Sequence, residues 1–263
     1  MLADQLECVK AIGLQNSLKV AWRRVRRQRA QSFSQWRGLF AGKRGLEIGG
    51  PSRTFENGRD LPVYPILAEL DNCLFAASTV WVPETRQGRN FRFDAGRRLG
   101  YQHVCDGTEL REVSAGQYEC VLSCHSLEHI ANPLKALKEW SRVLMESGAM
   151  MIAVPVKDHT FDRNRPITSF AHLMDDWNRE VSEDDLSHVD EILTLHDRRR
   201  DRAADDFEAF RERCLCNGKY RCLHHHVFSA ELLVSALEFT GLQVCAMERI
   251  LPHNLVAIAR KTA

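Results

Sequence analysis

The stretch Gly45-Leu46-Glu47-Ile48-Gly49-Gly50-Pro51-Ser52 constrains the fold more than any other part of the chain. A short apolar run ends beside an acid and breaks at once into paired glycines and a proline. That is the pattern of a buried strand entering a tight loop where backbone approaches a ligand. Two phosphate-binding motifs fail here. A phosphate loop needs four residues between its glycines, then Lys and Ser or Thr, whereas Gly38 and Gly42 enclose three and Lys43 precedes Arg44. The dinucleotide fingerprint needs a third glycine, and Gly50 is followed by Pro51, Ser52 and Arg53. An acid just before a glycine turn, Glu47, suits a positively charged cofactor better than a phosphorylated one.

Downstream, Val121-Leu122-Ser123 reads as a buried strand. Asn132-Pro133 follows as a helix start, a capping side chain before a proline at the first helical position. Leu134, Leu137, Trp140 and Leu144 share one helix face, Gly148 is the expected stop, and Met150–Val156 is the next strand. Strand, helix and strand in this span make a right-handed crossover of a parallel sheet. Val63–Leu70 and Tyr101–Cys105 are the other expected parallel strands, and 86–98 reads as loop. Ser229 caps a helix running to Gly241, and Leu242–Arg249 and Leu255–Arg260 close the chain as two strands joined by a turn.

Leu46-Glu47-Ile48-Gly49-Gly50 resembles the first motif of class I S-adenosylmethionine-dependent methyltransferases. Tyr118 to His129 resembles that family's fourth strand and exit loop, and Asn132 to Pro155 its following helix and fifth strand. The likeness is good over 42–155 and looser over 228–260. Ser52 stands where the family has a further glycine. The resemblance implies an α/β fold: a Rossmann-like, doubly wound, mostly parallel sheet with a reversed last strand. It also implies S-adenosyl-L-methionine as cofactor, held by Glu47, Gly49, Gly50, Pro51, Ser52, Asp71, Asn72, Asp106, Gly107, Cys124 and His125. In such sheets ligands lie beyond the carboxyl ends of the strands. Asp71, with Glu69 as fallback, is therefore the expected acid for both ribose hydroxyls, and the resemblance gives Asp106 the adenine amino group.

Residues 41–263 form the expected cofactor-binding domain, interrupted after strand five by a mainly helical insertion at about 157–222. Its first part, Asp158 to Thr168, is rich in hydroxyl-binding side chains and reads as too polar for core. The insertion reads as a substrate cap, with a charged surface excursion as the alternative. Residues 1–40 are basic and helical in pattern. Leu14, Leu18, Ala21, Trp22 and Val25 stand among Lys19, Arg23, Arg24, Arg26, Arg27 and Arg29. The short apolar stripe favours a helix packed on the domain, and peripheral contact with an anionic membrane is the alternative. With 36 Lys plus Arg against 35 Asp plus Glu, charge gives no reason to expect a nucleic-acid partner. Nine cysteines without an export signal fit reduced thiols and a cytoplasmic location.

The expected reaction is methylation of a hydroxyl, on a sugar or glycan-like acceptor, with histidine as base near neutral pH. His129 is the candidate from the cofactor loop, and His188, His196 and His226 are the candidates from the cap side. In an extended strand His224 and His226 would share a face with His225 opposite. Other acceptors (an amine, a lipid or a small metabolite) and a non-catalytic partner role are the rival readings. A metal-assisted variant would draw ligands from Asp162, Asp175, Asp176 or His188, although no metal is expected. Cys214, Cys216, Cys222 and His224 make a poor zinc site, because one residue separates the first pair where paired ligands normally have two to four.

Overall fold

Glycine-bounded apolar runs and a capped crossover helix set the architecture of the computed structural model, which describes residues 12–22 and 30–262. Eight strands form one sheet: β1 Arg44–Ile48, β2 Glu69–Leu74, β3 Gly88–Phe91, β4 Gly100–Val104, β5 Tyr118–Cys124, β6 Leu144–Pro155, β7 Leu242–Ile250 and β8 Asn254–Lys261. Their order is β3-β4-β2-β1-β5-β6-β8-β7. β4, β2, β1, β5 and β6 run parallel, while β3 and β8 are reversed against their neighbours. The order turns back at β1, between β2 and β5, which is the switch point where such sheets bind ligands. The mostly parallel sheet with a reversed strand before its edge matches the expected fold class.

Alternation along β5 fixes both faces of the sheet. Val121 packs with Leu46, Leu134, Leu137, Trp140 and Leu233 on one side. Cys120 and Leu122 pack on the other with Phe33, Phe40, Phe55, Tyr64 and Met151. The helix Pro133–Val143 starts where expected, the Asn132 Oδ1 accepting the Lys135 N–H at 3.0 Å. It stops earlier than expected. Gly148 caps nothing and lies inside β6, where a Cβ would come 2.7 Å from Leu144 Cδ1. Ser229 caps the helix Ala230–Phe239 as expected.

Two strands depart from the sequence reading. The apolar run from Val63 contains Pro65, which cannot donate to a ladder, so it forms a 3-10 turn at Tyr64–Ile66 and buries its side chains beneath the sheet. The strand itself begins at Glu69. The span expected to be loop carries β3, whose end packs Phe91 beside Phe93. In the insertion the helices Val189–Leu195 and Phe207–Leu215 pack around a small core of Val189, Ile192, Phe210 and Leu223, while the helix Phe170–Asn178 packs Leu173 into the main core. Two of its polar residues overturn the expectation of a solvated stretch, because Asp162 and Arg165 are buried. In the helical stretch 12–22, Ile12 and Val20 are buried and Leu14, Leu18 and Trp22 are exposed. Arg23, Arg24, Arg26, Arg27 and Arg29 lie outside the described residues. Among the described residues no helix is long and apolar enough to cross a membrane.

Asn132 caps its helix and also donates from Nδ2 to the Asp176 carbonyl at 3.0 Å, tying the helix to the insertion. Asn132→Ala is expected to destabilise the fold by about 1–2 kcal/mol. The check is a lower melting temperature, about 2–4 °C for each kcal/mol lost.

Candidate active site

The loop after β1 is held from beneath. The buried Glu47 carboxylate accepts the Tyr64 hydroxyl at 2.7 Å and the Ser52 N–H at 3.1 Å. Asn72 Oδ1 accepts the Gly50 N–H at 2.9 Å, and its Nδ2 donates to the Gly50 carbonyl at 3.0 Å. At φ +84° Gly49 takes the left-handed conformation, and a Cβ there would fall 2.2 Å from Ser126 Oγ. The loop is therefore pressed against the exit loop of β5 and leaves no room for a side chain.

A cavity of about 780 Å³ opens above it, at the carboxyl ends of β1, β2, β4 and β5. Of the expected cofactor residues, Gly49, Pro51, Ser52, Asp106, Gly107, Cys124 and His125 line this cavity. Glu47, Gly50 and Asn72 do not reach its wall; their part is to support the loop. Asp71 requires a larger correction. Because β2 starts six residues later than the apolar run suggested, Asp71 pairs with Leu46 well short of the strand's carboxyl end. Its carboxylate accepts the Tyr101 N–H at 2.7 Å, the Tyr118 hydroxyl at 2.9 Å and an Arg44 N–H at 2.9 Å. It lines a second, smaller cavity with Arg44, Arg89 and Glu112. Glu69, the fallback, is further still from the carboxyl end. The place expected for a ribose acid, just past Leu74, holds Phe75, and the Arg221 guanidinium lies 4.7 Å over its ring. Asp106 stands at the cavity wall, where its carboxylate accepts the Thr108 N–H at 2.8 Å and pairs with Arg221 at 2.7 Å.

The far half of the cavity gathers side chains from three parts of the sequence. Glu128 and His129 come from the β5 exit loop, Thr160 and Phe161 from the start of the insertion, and His224 from its end. His224 Nδ1 donates to Asp162 at 2.5 Å. Asp162 also accepts from Arg165 at 2.9 Å, and Arg165 donates to Glu191 at 2.7 Å and to the His224 carbonyl at 2.7 Å. The Nε2 of His224 lies 4.0 Å from Glu128 Oε1. Both Glu128 oxygens are buried without a hydrogen-bond partner. His129 packs edge-on against His224, with ring centroids 4.5 Å apart, and its Nδ1 donates to the Leu223 carbonyl at 3.0 Å. One atom each from Glu128, His129 and His224 lie within 4.8 Å of one another, close enough to hold a metal ion.

Of the four expected bases only His129 lines the cavity. His196 stacks on Phe161 and pairs with Asp201 at 3.1 Å behind the wall. His188 and His226 meet His172 in a separate cluster. The expected shared face of His224 and His226 is not formed, since His224 faces the cavity while His226 turns to Ala131, whose carbonyl lies 3.2 Å from its Nε2. The sequence reading considered His224 only as a weak zinc ligand and as a member of the triplet. Its pairing with Asp162, 62 residues away, leaves no local signal. The metal ligands proposed from sequence also separate, Asp162 lying behind His224, Asp176 and His188 elsewhere, and Asp175 pairing with Arg179.

Electrostatics sort these groups. Burial would pull His224 down, but the Asp162 carboxylate outweighs it and the net shift is upward. Burial would raise Asp162, but His224 and Arg165 hold it at about 2. Burial pushes the Glu128 carboxyl up to about 7 and carries His129 well below its ordinary range, His224 adding to the latter. His125 is lowered to about 4, chiefly by burial.

Residues 21–246 match the methyltransferase domain family. The chain belongs to that family. A sequence search of curated proteins finds no match. Among solved structures, a provisionally assigned methyltransferase from Bacillus halodurans superposes with a TM-score of 0.50 at 10% identity, covering 89% of this chain and all of its own. An S-adenosylmethionine-dependent methyltransferase from Methanosarcina mazei gives 0.47 at 13% identity over 89% of this chain and 99% of its own. A third, from Aquifex aeolicus, gives 0.44 at 11% over 88% and 89%. The protein is a class I S-adenosylmethionine-dependent methyltransferase, with S-adenosylmethionine as its cofactor. The cavity's residues fit that molecule: Gly49 gives the wall bare backbone beside the ligand space, and the unpartnered Glu128 carboxylate suits a cationic ligand.

Gly49→Ala puts a Cβ against Ser126 on a left-handed backbone and is expected to weaken S-adenosylmethionine binding at least tenfold by calorimetry. Asp71→Ala is expected to lower stability while leaving that affinity within about twofold. Glu47 supplies a pH test. Burial raises its carboxyl from 4.5 to about 7, against the opposing hydrogen bonds of Ser52 and Tyr64. The folded state then binds the proton more tightly than the unfolded state, so stability is lost as pH rises from 4.5 to 7. The stability of the wild type relative to Glu47→Gln should therefore fall across that window in urea titrations at several pH values, and a constant difference would contradict the assignment.

Proposed function

We propose that this methyltransferase transfers its methyl group to a hydroxyl oxygen, with His224 as the general base and a hydroxyl-rich small molecule or glycan as acceptor. The observation that carries the reading is the Asp162–His224 pair. With Nδ1–H committed to Asp162, the Nε2 lone pair is left at the cavity side, where Glu128 marks the wall. A hydroxyl is a poor nucleophile until its proton leaves, whereas a neutral amine would not require a fixed carboxylate–imidazole pair.

The bound cofactor supplies an already activated methyl electrophile. The chain has to align the acceptor oxygen and take its proton. Nε2 of His224 accepts that proton as the oxygen–carbon bond forms and the sulfur–carbon bond breaks. Asp162 then stabilises the imidazolium and Arg165 keeps Asp162 ionised. Alignment of two bound reactants supplies roughly 7–11 kcal/mol, and a positioned base on the order of 10²–10⁴-fold. Hydroxyls and imidazoles of Ser52, Thr54, Ser126, His159 and Thr160 line the same cavity, as a polyol acceptor needs. The insertion contributes Thr160, Phe161 and Arg213 to that wall, which supports its reading as the acceptor cap.

The two unpartnered oxygens of Glu128 favour a second reading, in which Glu128, His129 and His224 hold a divalent cation that binds the acceptor oxygen. Both readings are tested by following methyl transfer to a panel of sugars and polyols with and without a chelator. His224→Gln is expected to lower turnover on the order of 10²–10⁴-fold with cofactor affinity retained. Turnover within a few fold of wild type would remove His224 as the base. Activity abolished by the chelator and restored by magnesium would favour the second reading.

A further inference from the structure

Away from the cavity, four side chains meet where the insertion rests on the sheet domain. His172 and Asp176 stand one turn apart on the helix Phe170–Asn178, on one face of it. His188 immediately precedes the helix Val189–Leu195, and His226 lies in the extended stretch leading to the helix Ala230–Phe239. The Nε2 atoms of His172 and His188 are 3.1 Å apart. Asp176 Oδ2 is 3.4 Å from His172 Nε2 and 3.6 Å from His226 Nε2. One ring nitrogen from each of the three histidines lies within 4.8 Å of the others. None of the four lines the methyl-transfer cavity.

We propose that His172, Asp176, His188 and His226 form a structural site for a divalent transition metal, with zinc the ion that suits its donors. Three imidazoles and one carboxylate are a familiar zinc donor set. With bonds of about 2.0–2.1 Å, tetrahedral geometry puts neighbouring donors about 3.3 Å apart; three of the separations here are 3.1, 3.4 and 3.6 Å, and the three histidine nitrogens all lie within 4.8 Å of one another. A network of hydrogen bonds alone does not account for the cluster. Asp176 Oδ2 is buried with no hydrogen-bond partner, although two imidazole Nε2 atoms stand 3.4 and 3.6 Å from it. His172 and His188 face each other through Nε2 atoms 3.1 Å apart, both aimed at the same point as that carboxylate. A cation satisfies the carboxylate and both facing nitrogens together. At His226 it displaces the long 3.2 Å contact from Nε2 to the Ala131 carbonyl.

The consequence is mechanical. The ion joins a helix of the insertion, the turn before a second helix and the segment that re-enters the sheet domain. His226 is two residues from His224, so the site anchors the extended segment that presents His224 to the cavity.

The test uses the full chain freed of any affinity tag and measures bound metal by mass spectrometry. The expected result is one equivalent of zinc that Asp176→Asn and His172→Ala each lose, while Glu128→Gln, which disables the cavity cluster, retains it. If those variants do not fold, the Glu128→Gln chain decides the question. After stripping with a chelator its melting temperature should drop by several degrees and recover with Zn²⁺, and Co²⁺ should give the intense visible absorption of a tetrahedral site. Equal metal in wild type and both ligand variants, or a stripped chain indifferent to Zn²⁺ and spectroscopically silent with Co²⁺, would overturn the proposal.

Discussion

A guanidinium cannot stay inside a protein without counter-charges, and Arg165, 2% exposed, is the group whose neutralisation organises the far side of this molecule. Its partners are Asp162, Glu191 and the carbonyls of His224 and His225, drawn from the start, middle and end of the insertion. Satisfying one buried cation therefore folds some sixty residues of excursion back onto the sheet. It also leaves one oxygen of Asp162 for His224, so the arrangement that buries the charge also orients the imidazole. Removing Arg165 would take a counter-charge from Asp162 and Glu191 at once, a heavier loss than that of an exposed ion pair.

The near side depends on a different economy of contacts. Glu47, Tyr64 and Asn72 have no part in the cavity wall, yet they fix the backbone of Gly50 and Ser52 from below. The loop surface is thus free to be mostly backbone, which gives a ligand close approach without side-chain competition. The raised Glu47 carboxyl shows the energetic tension in that design, because an acid is kept in the interior for geometry at a cost in solvation.

Much of the sheet is legible in the sequence. The glycine loop, the Asn132-Pro133 start, the Ser229 cap and the closing hairpin are local signals, and each falls in place within a few residues. Val63–Leu70 has a strand's composition, but Pro65 makes it a turn, so the frame of β2 shifts and takes Asp71 away from the cofactor edge. β3 was hidden because Gly88 to Phe91 is polar except at its end. Among the site residues, those on the exit loops of β1, β4 and β5 could be found from their strands. Asp162 and Arg165 were misjudged as solvated because their neutralising partners are remote in sequence, which periodicity does not register. For the same reason the histidine triplet could be noticed but not resolved into one member at the cavity, one against Asn217 and one in the cluster with His172.

Under the proposed function, cofactor and acceptor come together at the switch point of the sheet, with a backbone loop on one wall and a buried charge network on the other. The central claim is that the cofactor enters over Gly49 at the carboxyl ends of the strands, beside Glu128 and His224. The most direct measurement is hydrogen–deuterium exchange with and without S-adenosylhomocysteine. The account predicts added protection in segments 48–54, 105–108 and 124–130, with none around Arg44, Asp71 and Tyr101. Protection confined to that opposite end, or none anywhere at saturating ligand, would contradict it.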